Sequence, residues 1–141
     1  MSGPLASGLV GAWTLLAYEA IAEDDGTLGH PLGADAGGLL VYTDAGLMTV
    51  QLMRRERPPW ARGGVPSAEG YLAYAGRFEV DEAARTVTHH VELSLLPSWV
   101  GRAQVRTAEL EGDRLRLTAP PDRIDGRDAV AQLTWRRVRA Q

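Results

Sequence analysis

The feature of this sequence that most constrains its fold is the alternation of apolar and polar residues in short segments. Along 86–95 the odd positions carry valine, leucine and one histidine, whereas the even positions carry threonine, histidine, glutamate and serine. A period of two residues is that of a β-strand, because successive side chains point to opposite faces. Sixteen glycines and eight prolines separate these segments. The pattern therefore predicts an all-β protein.

The segments between the turns predict about eight strands and one short helix. The predicted strands span 9–22, 37–43, 47–53, 73–81, 85–96, 103–111, 114–119 and 129–138. The helix is predicted near Ser67–Leu72, with Ser67 as its N-cap. Strands joined in sequence by tight turns favour an up-and-down antiparallel barrel, whose eight strands enclose space for one small ligand. The alternative is a β-sandwich, which needs longer crossover connections, and only 54–66 and 120–128 are long loops.

Length and composition exclude several classes of function. The 141 residues predict one domain over 1–141. The net charge of −3 gives no electrostatic basis for binding nucleic acid. The chain has no cysteine and no lysine, which excludes thiolate chemistry and a lysine Schiff base. No apolar run reaches the ~18 residues of a membrane span. Without a signal-peptide pattern at the start, we expect a cytoplasmic protein.

Several longer stretches resemble the bacterial lipocalin-like domain family of small single-domain β-barrels. They are "LVGAWTLLAYE" near the start, "HPLG" at 30–33, "LLVYTDAGLMTVQLMR" at 39–54, "YAGRFEVDEAARTVTHHVELSLLPSWVG" at 74–101 and "GDRLRLTAPP" at 112–121. Gly11-Ala12-Trp13 is also similar to the lipocalin Gly-x-Trp signature. The resemblance implies that Trp13 closes one barrel end and that an arginine of the last strand, Arg137 or Arg136, lies over it. Antiparallel pairing of the first and last strands independently brings these residues together.

The resemblance further implies an apolar pocket for a small hydrophobic molecule. Strand parity predicts which side chains face that pocket. The predicted ligand-binding residues are Met48, Val50, Phe78, Val91, Leu93, Gln104, Trp60 and Trp99. The two tryptophans lie in the loops 54–66 and 95–101, at the end of the barrel opposite Trp13, where we expect them to form the rim.

Three residues are candidates for catalysis. His89 shares the inner face with valines and leucines, where it could transfer protons or hydrogen-bond a carbonyl, unless it is a core histidine satisfied by a neighbour. Arg106 is predicted to face inward opposite residues near Leu93, where it could hold an enolate, carboxylate or phenolate. Tyr74 has the best parity among the potential hydroxyl donors, which also include Tyr42 and Tyr18.

The sequence offers no metal site or cofactor motif. His90 and Glu92 share the outer face of their strand, but that face lacks the third and fourth ligands of a metal, so we expect surface interactions with a neighbouring strand. No phosphate loop, dinucleotide fingerprint or nucleophile elbow is present. We therefore expect no cofactor and no metal.

The sequence leaves three functions open. The first is a cofactor-independent cyclase or isomerase that acts on a natural-product intermediate of polyketide type. The second is a non-catalytic binding or carrier protein for a small apolar molecule. The third is an interaction module, with a homodimer through the outer sheet as one form. A binding pocket and a catalytic pocket use the same residue types, so composition does not separate the first two.

Overall fold

A computed structural model describes residues 4–57 and 69–139. Their elements, in chain order, are α1 (Leu5–Leu9), β1 (Gly11–Ala22), β2 (Leu28–Gly29), β3 (Gly37–Tyr42), β4 (Leu47–Met53), β5 (Tyr71–Asp81), β6 (Thr86–Ser94), a 3₁₀ turn (Pro97–Trp99), β7 (Ala103–Glu111), β8 (Arg114–Thr118), β9 (Asp122–Ile124) and β10 (Arg127–Arg137). In the described part of the chain, no helix is long and apolar enough to span a membrane.

The strands form one antiparallel sheet that closes on itself. Neighbours follow the order β2-β1-β3-β4-β5-β6-β7-β8-β10-β9, and β1 also pairs with β10. The short strands β2 and β9 pair with one end of β1 and of β10. The other eight strands form the barrel wall. This confirms the predicted eight-stranded up-and-down barrel and excludes the sandwich. The pairing of β1 with β10 joins the first and last strands of the wall, so neither is a free edge strand.

The predicted helix near Ser67–Leu72 is wrong where the structure describes it. Ser67 lies outside the described residues, while Tyr71 and Leu72 begin β5 and pair with Met53 and Leu52. Gly70 has a φ of 75°, which is incompatible with a right-handed helix through this segment. The observed α-helix is instead α1, at the other end of the barrel.

The N-terminal helix closes that end of the barrel. Leu5 and Leu9 are fully buried in the core. The carboxylate of Glu82, in the β5–β6 turn, accepts the backbone N–H groups of Leu5 and Ala6 at 2.7 and 2.9 Å. The indole of Trp13 donates to the carbonyl of Leu9 at 3.0 Å. Side-chain and backbone hydrogen bonds thus fasten the helix to the barrel.

Strand β10 contributes an arginine to the same end, as the family resemblance implies. The guanidinium carbon of Arg137 lies 4.3 Å from the ring centroid of Trp13. Arg137 also donates to the carbonyl oxygens of Val10 and Gly8. Its neighbour Arg136 is exposed, so the structure selects Arg137 between the two candidates.

A bulge in β6 overturns part of the predicted parity. Alternation places Leu93 and Leu95 inside, but their exposed fractions are 71% and 40%. The register shifts where Ala75 pairs with Leu93 and Gly76 pairs with Val91, which leaves Glu92 as an extra residue. A Cβ at position 76 would lie 1.8 Å from a backbone oxygen of β6, so the close approach requires glycine. Beyond the bulge the side chains of β6 face the opposite way.

The register between β6 and β7 also differs from the predicted one. Arg106 pairs with Val87 and not with residues near Leu93, and Gln104 pairs with His89. The turn at 95–102 accounts for the difference, because its 3₁₀ turn and the bonds between Val91 and residues 101–102 shift the start of β7. The inward side of β7 is nevertheless the predicted one, since Ala108 is buried whereas Val105 is exposed.

Candidate functional site

A histidine held between two tyrosine hydroxyls lies in the middle of the barrel. His89 of β6 is 2% exposed. Its Nε2 lies 2.6 Å from the hydroxyl of Tyr42 in β3, and its Nδ1 lies 2.6 Å from the hydroxyl of Tyr74 in β5. Each side chain faces inward because its strand alternates, and closure of the barrel brings the three strands together around one point.

The imidazole in this group is neutral. Burial, together with the electrostatic effects of Arg106 and His90, lowers the pKa of His89 to about 3. Burial raises the pKa of Tyr74 to about 12 and that of Tyr42 well above its ordinary value. All three groups are therefore uncharged at neutral pH and interact by hydrogen bonds.

Two members of this group, His89 and Tyr74, border an internal cavity of about 80 Å³. Its wall is mostly apolar, and six of the lining side chains carry a polar group. The lining consists of Tyr18, Leu40, Val50, Leu52, Leu72, Tyr74, His89, Trp99, Arg106, Leu117, Ala131, Leu133 and Trp135. An apolar wall with a few placed polar groups is the usual composition of a small-molecule site.

Two further hydrogen-bond donors belong to the cavity wall. Trp135 is 1% exposed, and its indole N–H is buried and has no acceptor within residues 4–57 and 69–139. Arg106 is half-buried and donates to its neighbour's carbonyl, that of Val105, at 2.9 Å and to the side-chain oxygen of Gln104 at 3.3 Å. A buried donor with no partner is rare in proteins, and it marks a place where an acceptor is expected.

The three predicted catalytic residues, His89, Tyr74 and Arg106, all line this cavity. Of the predicted ligand-binding residues, Val50 and Trp99 line it too, and Trp99 lies 5.8 Å from Tyr74 between ring centroids. The structure thus brings together residues of β4, β5, β6, β7 and the 3₁₀ turn.

The other predicted binding residues take different positions. Phe78 packs edge-on against Tyr42 with centroids 4.8 Å apart, and Val91 and Met48 are buried in the core beside it. Gln104 reaches the site only through Arg106. The predicted inward position of Leu93 is wrong, because the bulge turns it to the outer surface. Trp60 lies outside the described residues.

Sequence reasoning weighed Tyr42 only as one hydroxyl among several and did not assign Trp135 to the site. Tyr42 meets His89 across 47 positions of sequence. Strand parity did place Trp135 on the same face as Ala131 and Leu133, which is the face that lines the cavity. That alternation was the available signal, but it does not show that the indole N–H lacks an acceptor.

Leu93 instead borders an outer groove of about 600 Å³, which crosses β3 to β6 on the barrel surface. Its wall is largely apolar. The lining residues are Val41, Thr43, Leu47, Met48, Thr49, Ala75, Gly76, Glu92 and Leu93. This groove is larger than the internal cavity, but none of its lining residues in the described part of the chain is a buried polar side chain. The chemistry of the molecule is therefore concentrated inside the barrel.

His90 and Glu92 interact with a neighbouring strand, as the sequence predicts. The Nε2 of His90 lies 3.1 Å from a carboxylate oxygen of Glu79, and Glu92 lies 3.9 Å from Arg77. Both partners belong to β5. Among residues 4–57 and 69–139, no group of three or more His, Cys, Asp or Glu side chains could hold a metal ion.

Comparison with family models agrees with this architecture. The model of a family described as "Lipocalin-like domain" matches residues 10–138. The 4'-hydroxy-3'-methoxypropiophenone carrier protein ppsC of Aspergillus oryzae is 43% identical over 75 residues, which cover 48% of this chain and 68% of that protein. The crystal structure of Rv2717c from M. tuberculosis is 17% identical, with a TM-score of 0.43 over 99% of this chain and 100% of that one.

Proposed function

The chain belongs to the lipocalin-like domain family, and from that premise we propose that its central cavity binds and carries a small, mostly apolar molecule. The observation that carries this proposal is the buried Tyr42–His89–Tyr74 group in an otherwise apolar wall. Apolar side chains supply affinity by excluding water, and the few polar groups fix the orientation of the ligand.

The curated relative supports a carrier role. Its name describes a carrier of 4'-hydroxy-3'-methoxypropiophenone, a molecule with one aromatic ring, a ketone and a phenol. A ring with two polar ends suits a cavity whose wall is apolar between separate hydrogen-bonding groups. The match spans about half of this chain, so the molecule serves here as a first ligand to test.

Binding such a ring requires the cavity to expand. Its volume of about 80 Å³ is below the roughly 300–1,000 Å³ of most ligand pockets. Trp99 is the lining residue that a short 3₁₀ turn carries, while strands carry most of the others. We expect the ligand to displace this side chain, because strand residues are held by the barrel's hydrogen bonds.

The acid–base properties of the site support carriage over proton transfer. A histidine with a pKa of about 3 is a weak base at neutral pH, and a tyrosine with a pKa of about 12 is a weak acid. His89 is thus suited to position hydroxyl groups.

The second candidate is a cofactor-independent cyclase or isomerase. It would rely on stabilisation of a developing enolate by Arg106 and the Tyr74 hydroxyl, together with the shape of the cavity. The placement of both groups on the cavity wall is the observation that favours it.

Isothermal titration with 4'-hydroxy-3'-methoxypropiophenone tests the carrier proposal. We expect saturable one-to-one binding, a change in tryptophan fluorescence, and recovery of the ligand unchanged. His89→Phe should weaken binding about tenfold, since it disrupts hydrogen bonds worth about 1–1.5 kcal/mol. Thr88→Ala, on the opposite face of the same strand, should bind normally.

Two results would contradict carriage. If neither this ketone nor a panel of apolar aromatic molecules gives saturable heat, the cavity is not a binding site. If a bound molecule is recovered as an isomer at a rate that Arg106→Gln reduces, the enzymatic candidate replaces the carrier.

A further inference from the structure

The structure points to a specific chemistry for the ligand, and this inference rests on the proposed function. We propose that the cavity selects molecules with an ionised oxygen, such as a phenolate, enolate or carboxylate, held by the Tyr74 hydroxyl, the Trp135 indole N–H and the Arg106 guanidinium. The donors available to a ligand are those hydrogens in the cavity wall that do not already have an acceptor.

The hydrogens available to His89 and its two tyrosine neighbours leave the hydroxyl of Tyr74 free to donate. A neutral imidazole has one N–H and one bare nitrogen, so one of its two tyrosine neighbours must donate to it and the other must accept from it. The accepting tyrosine keeps its own O–H hydrogen for another partner. Tyr42 is 1% exposed and does not line the cavity, so as the accepting residue it would leave a buried hydrogen unpaired.

The favoured arrangement therefore runs in one direction. Tyr42 donates to Nε2 of His89, and Nδ1–H of His89 donates to the oxygen of Tyr74. The hydroxyl hydrogen of Tyr74 is then free, and Tyr74 lines the cavity. An unpaired buried donor is unfavourable, and avoiding it sets the direction of these hydrogen bonds. His89 is thereby a positioning residue that makes Tyr74 a donor toward the ligand.

Trp135 supplies a second donor, and its role does not depend on the direction of any other hydrogen bond. An indole nitrogen can only donate, and that of Trp135 is buried without an acceptor among the described residues. In the sheet, Trp135 lies opposite Leu115 of β8 and Leu15 of β1. These strand pairings involve its backbone and do not satisfy the indole N–H. A ligand oxygen in the cavity would satisfy the side-chain N–H.

Arg106 supplies the charge. Its guanidinium has five N–H donors, and its bonds to Val105 and Gln104 leave most of them free. Within residues 4–57 and 69–139 no carboxylate pairs with it. A half-buried arginine without a counter-ion is unfavourable unless a negative group approaches it.

The other charged and titratable groups around the cavity do not compete for this role. Of the residues that the structure describes, no carboxylate lines the cavity, and the titratable side chains that do are Tyr18, Tyr74, His89 and Arg106. The charge of Arg106 opposes the effect of burial on the tyrosine pKa values, whereas Asp125 acts on Tyr18 alone among them. The cavity thus holds one positive charge and several donors, which an anionic oxygen complements.

The probe for this inference is 4-nitrophenol, whose phenolate absorbs near 400 nm and whose pKa lies close to neutrality. Its methyl ether, 4-nitroanisole, has nearly the same size and cannot ionise. We expect the phenolate to bind at least tenfold more tightly than the ether. The pKa of the bound phenol should fall by at least one pH unit, seen as increased absorbance when protein is added at the pKa of the free phenol.

Three variants connect the effect to the donors. Arg106→Gln should abolish the fall in the pKa of the bound phenol and should reduce affinity for the phenolate much more than affinity for the ether. Trp135→Phe, which retains a ring, should reduce phenolate affinity severalfold and ether affinity by a smaller factor. Arg116→Gln removes the same charge from the exposed side of β8 and should behave as the wild type.

The outcomes separate this inference from the proposed function. If phenol and ether bind equally well, or if the bound phenol has an unchanged or raised pKa, the selection for an ionised oxygen is wrong while the binding role remains. If Arg116→Gln has the same effect as Arg106→Gln, general charge and not the cavity explains the result. If neither probe binds, this inference fails, and the titration with 4'-hydroxy-3'-methoxypropiophenone decides separately whether the proposed function fails.

Discussion

At the scale of single residues, the protein holds His89 in its neutral form and so prevents it from accepting a proton. The imidazole is almost fully buried, and both of its nitrogens are bonded to tyrosine hydroxyls. Protonation would add a second N–H and would require both tyrosines to accept hydrogen bonds. Burial therefore links folding of the barrel to the neutral state of this side chain.

This linkage predicts how stability depends on pH. In the unfolded chain His89 binds a proton below its ordinary pKa of 6.5, whereas in the folded protein it does so only near pH 3. Stability is complete above pH 6.5 and is lost as pH falls toward 3, by about 1.4 kcal/mol per pH unit. Urea unfolding at pH 7.5, 6 and 5 should show this slope.

Two variants isolate the contribution of His89. Its replacement in His89→Phe should remove the slope, although the variant is less stable at neutral pH because Tyr42 loses its partner. His90→Gln should retain the slope, since His90 is half-exposed. Equal slopes in the wild type and His89→Phe would contradict the linkage.

At the scale of elements, the bulge in β6 decides which side chains enter the barrel. Val91 lies before the extra residue and is 3% exposed, whereas Leu93 lies after it and is 71% exposed. Two residues that a regular strand would place on one face thus occupy different environments. The bulge also places Leu93 in the apolar outer groove.

Truncation of these two residues should therefore have unequal effects. Val91→Ala should reduce the free energy of unfolding by about 2 kcal/mol, since it removes buried methyl groups. Leu93→Ala should change it by less than about 0.5 kcal/mol and should leave ligand affinity unchanged. Chemical denaturation of both variants measures the difference. A larger loss of stability for Leu93→Ala than for Val91→Ala would contradict the bulge, because it would indicate that Leu93 is buried.

At the scale of the whole molecule, pairing of β1 with β10 and the docking of α1 unite the two termini of the barrel. Arg137 joins them, because it lies over Trp13 and donates to the carbonyls of Val10 and Gly8. Its contacts thus connect the last strand to the segment that precedes the first.

Removal of this arginine should loosen the closed end. Arg137→Met retains an apolar stem but loses the charge and the donors, and we expect a loss of about 2 kcal/mol in stability. Hydrogen exchange should increase at α1. Arg136→Met, on the exposed face, should change stability by less than about 0.5 kcal/mol. Similar losses for both variants would contradict a specific role for Arg137.

Local alternation was enough to predict the barrel and the inward position of His89, because both depend on a period of two residues. It could not predict the bulge at Leu93, since apolar and polar residues continue to alternate across it. The contact of Tyr42 with His89 depends on closure of the whole sheet. The unpaired N–H of Trp135 depends on the packing around it, for which a sequence contains no local signal.

The closed end of the barrel also limits the route by which a ligand could enter and leave the cavity. Since α1, Trp13 and Arg137 seal one end and paired strands form the wall, the molecule resembles a cup and not a tube. If the cavity binds a ligand as we propose, the described residues leave the end where Trp99 lies for its entry and exit. Such a ligand would leave with the part that entered last coming out first. A partner that delivers or takes up the ligand would then contact the barrel at that end.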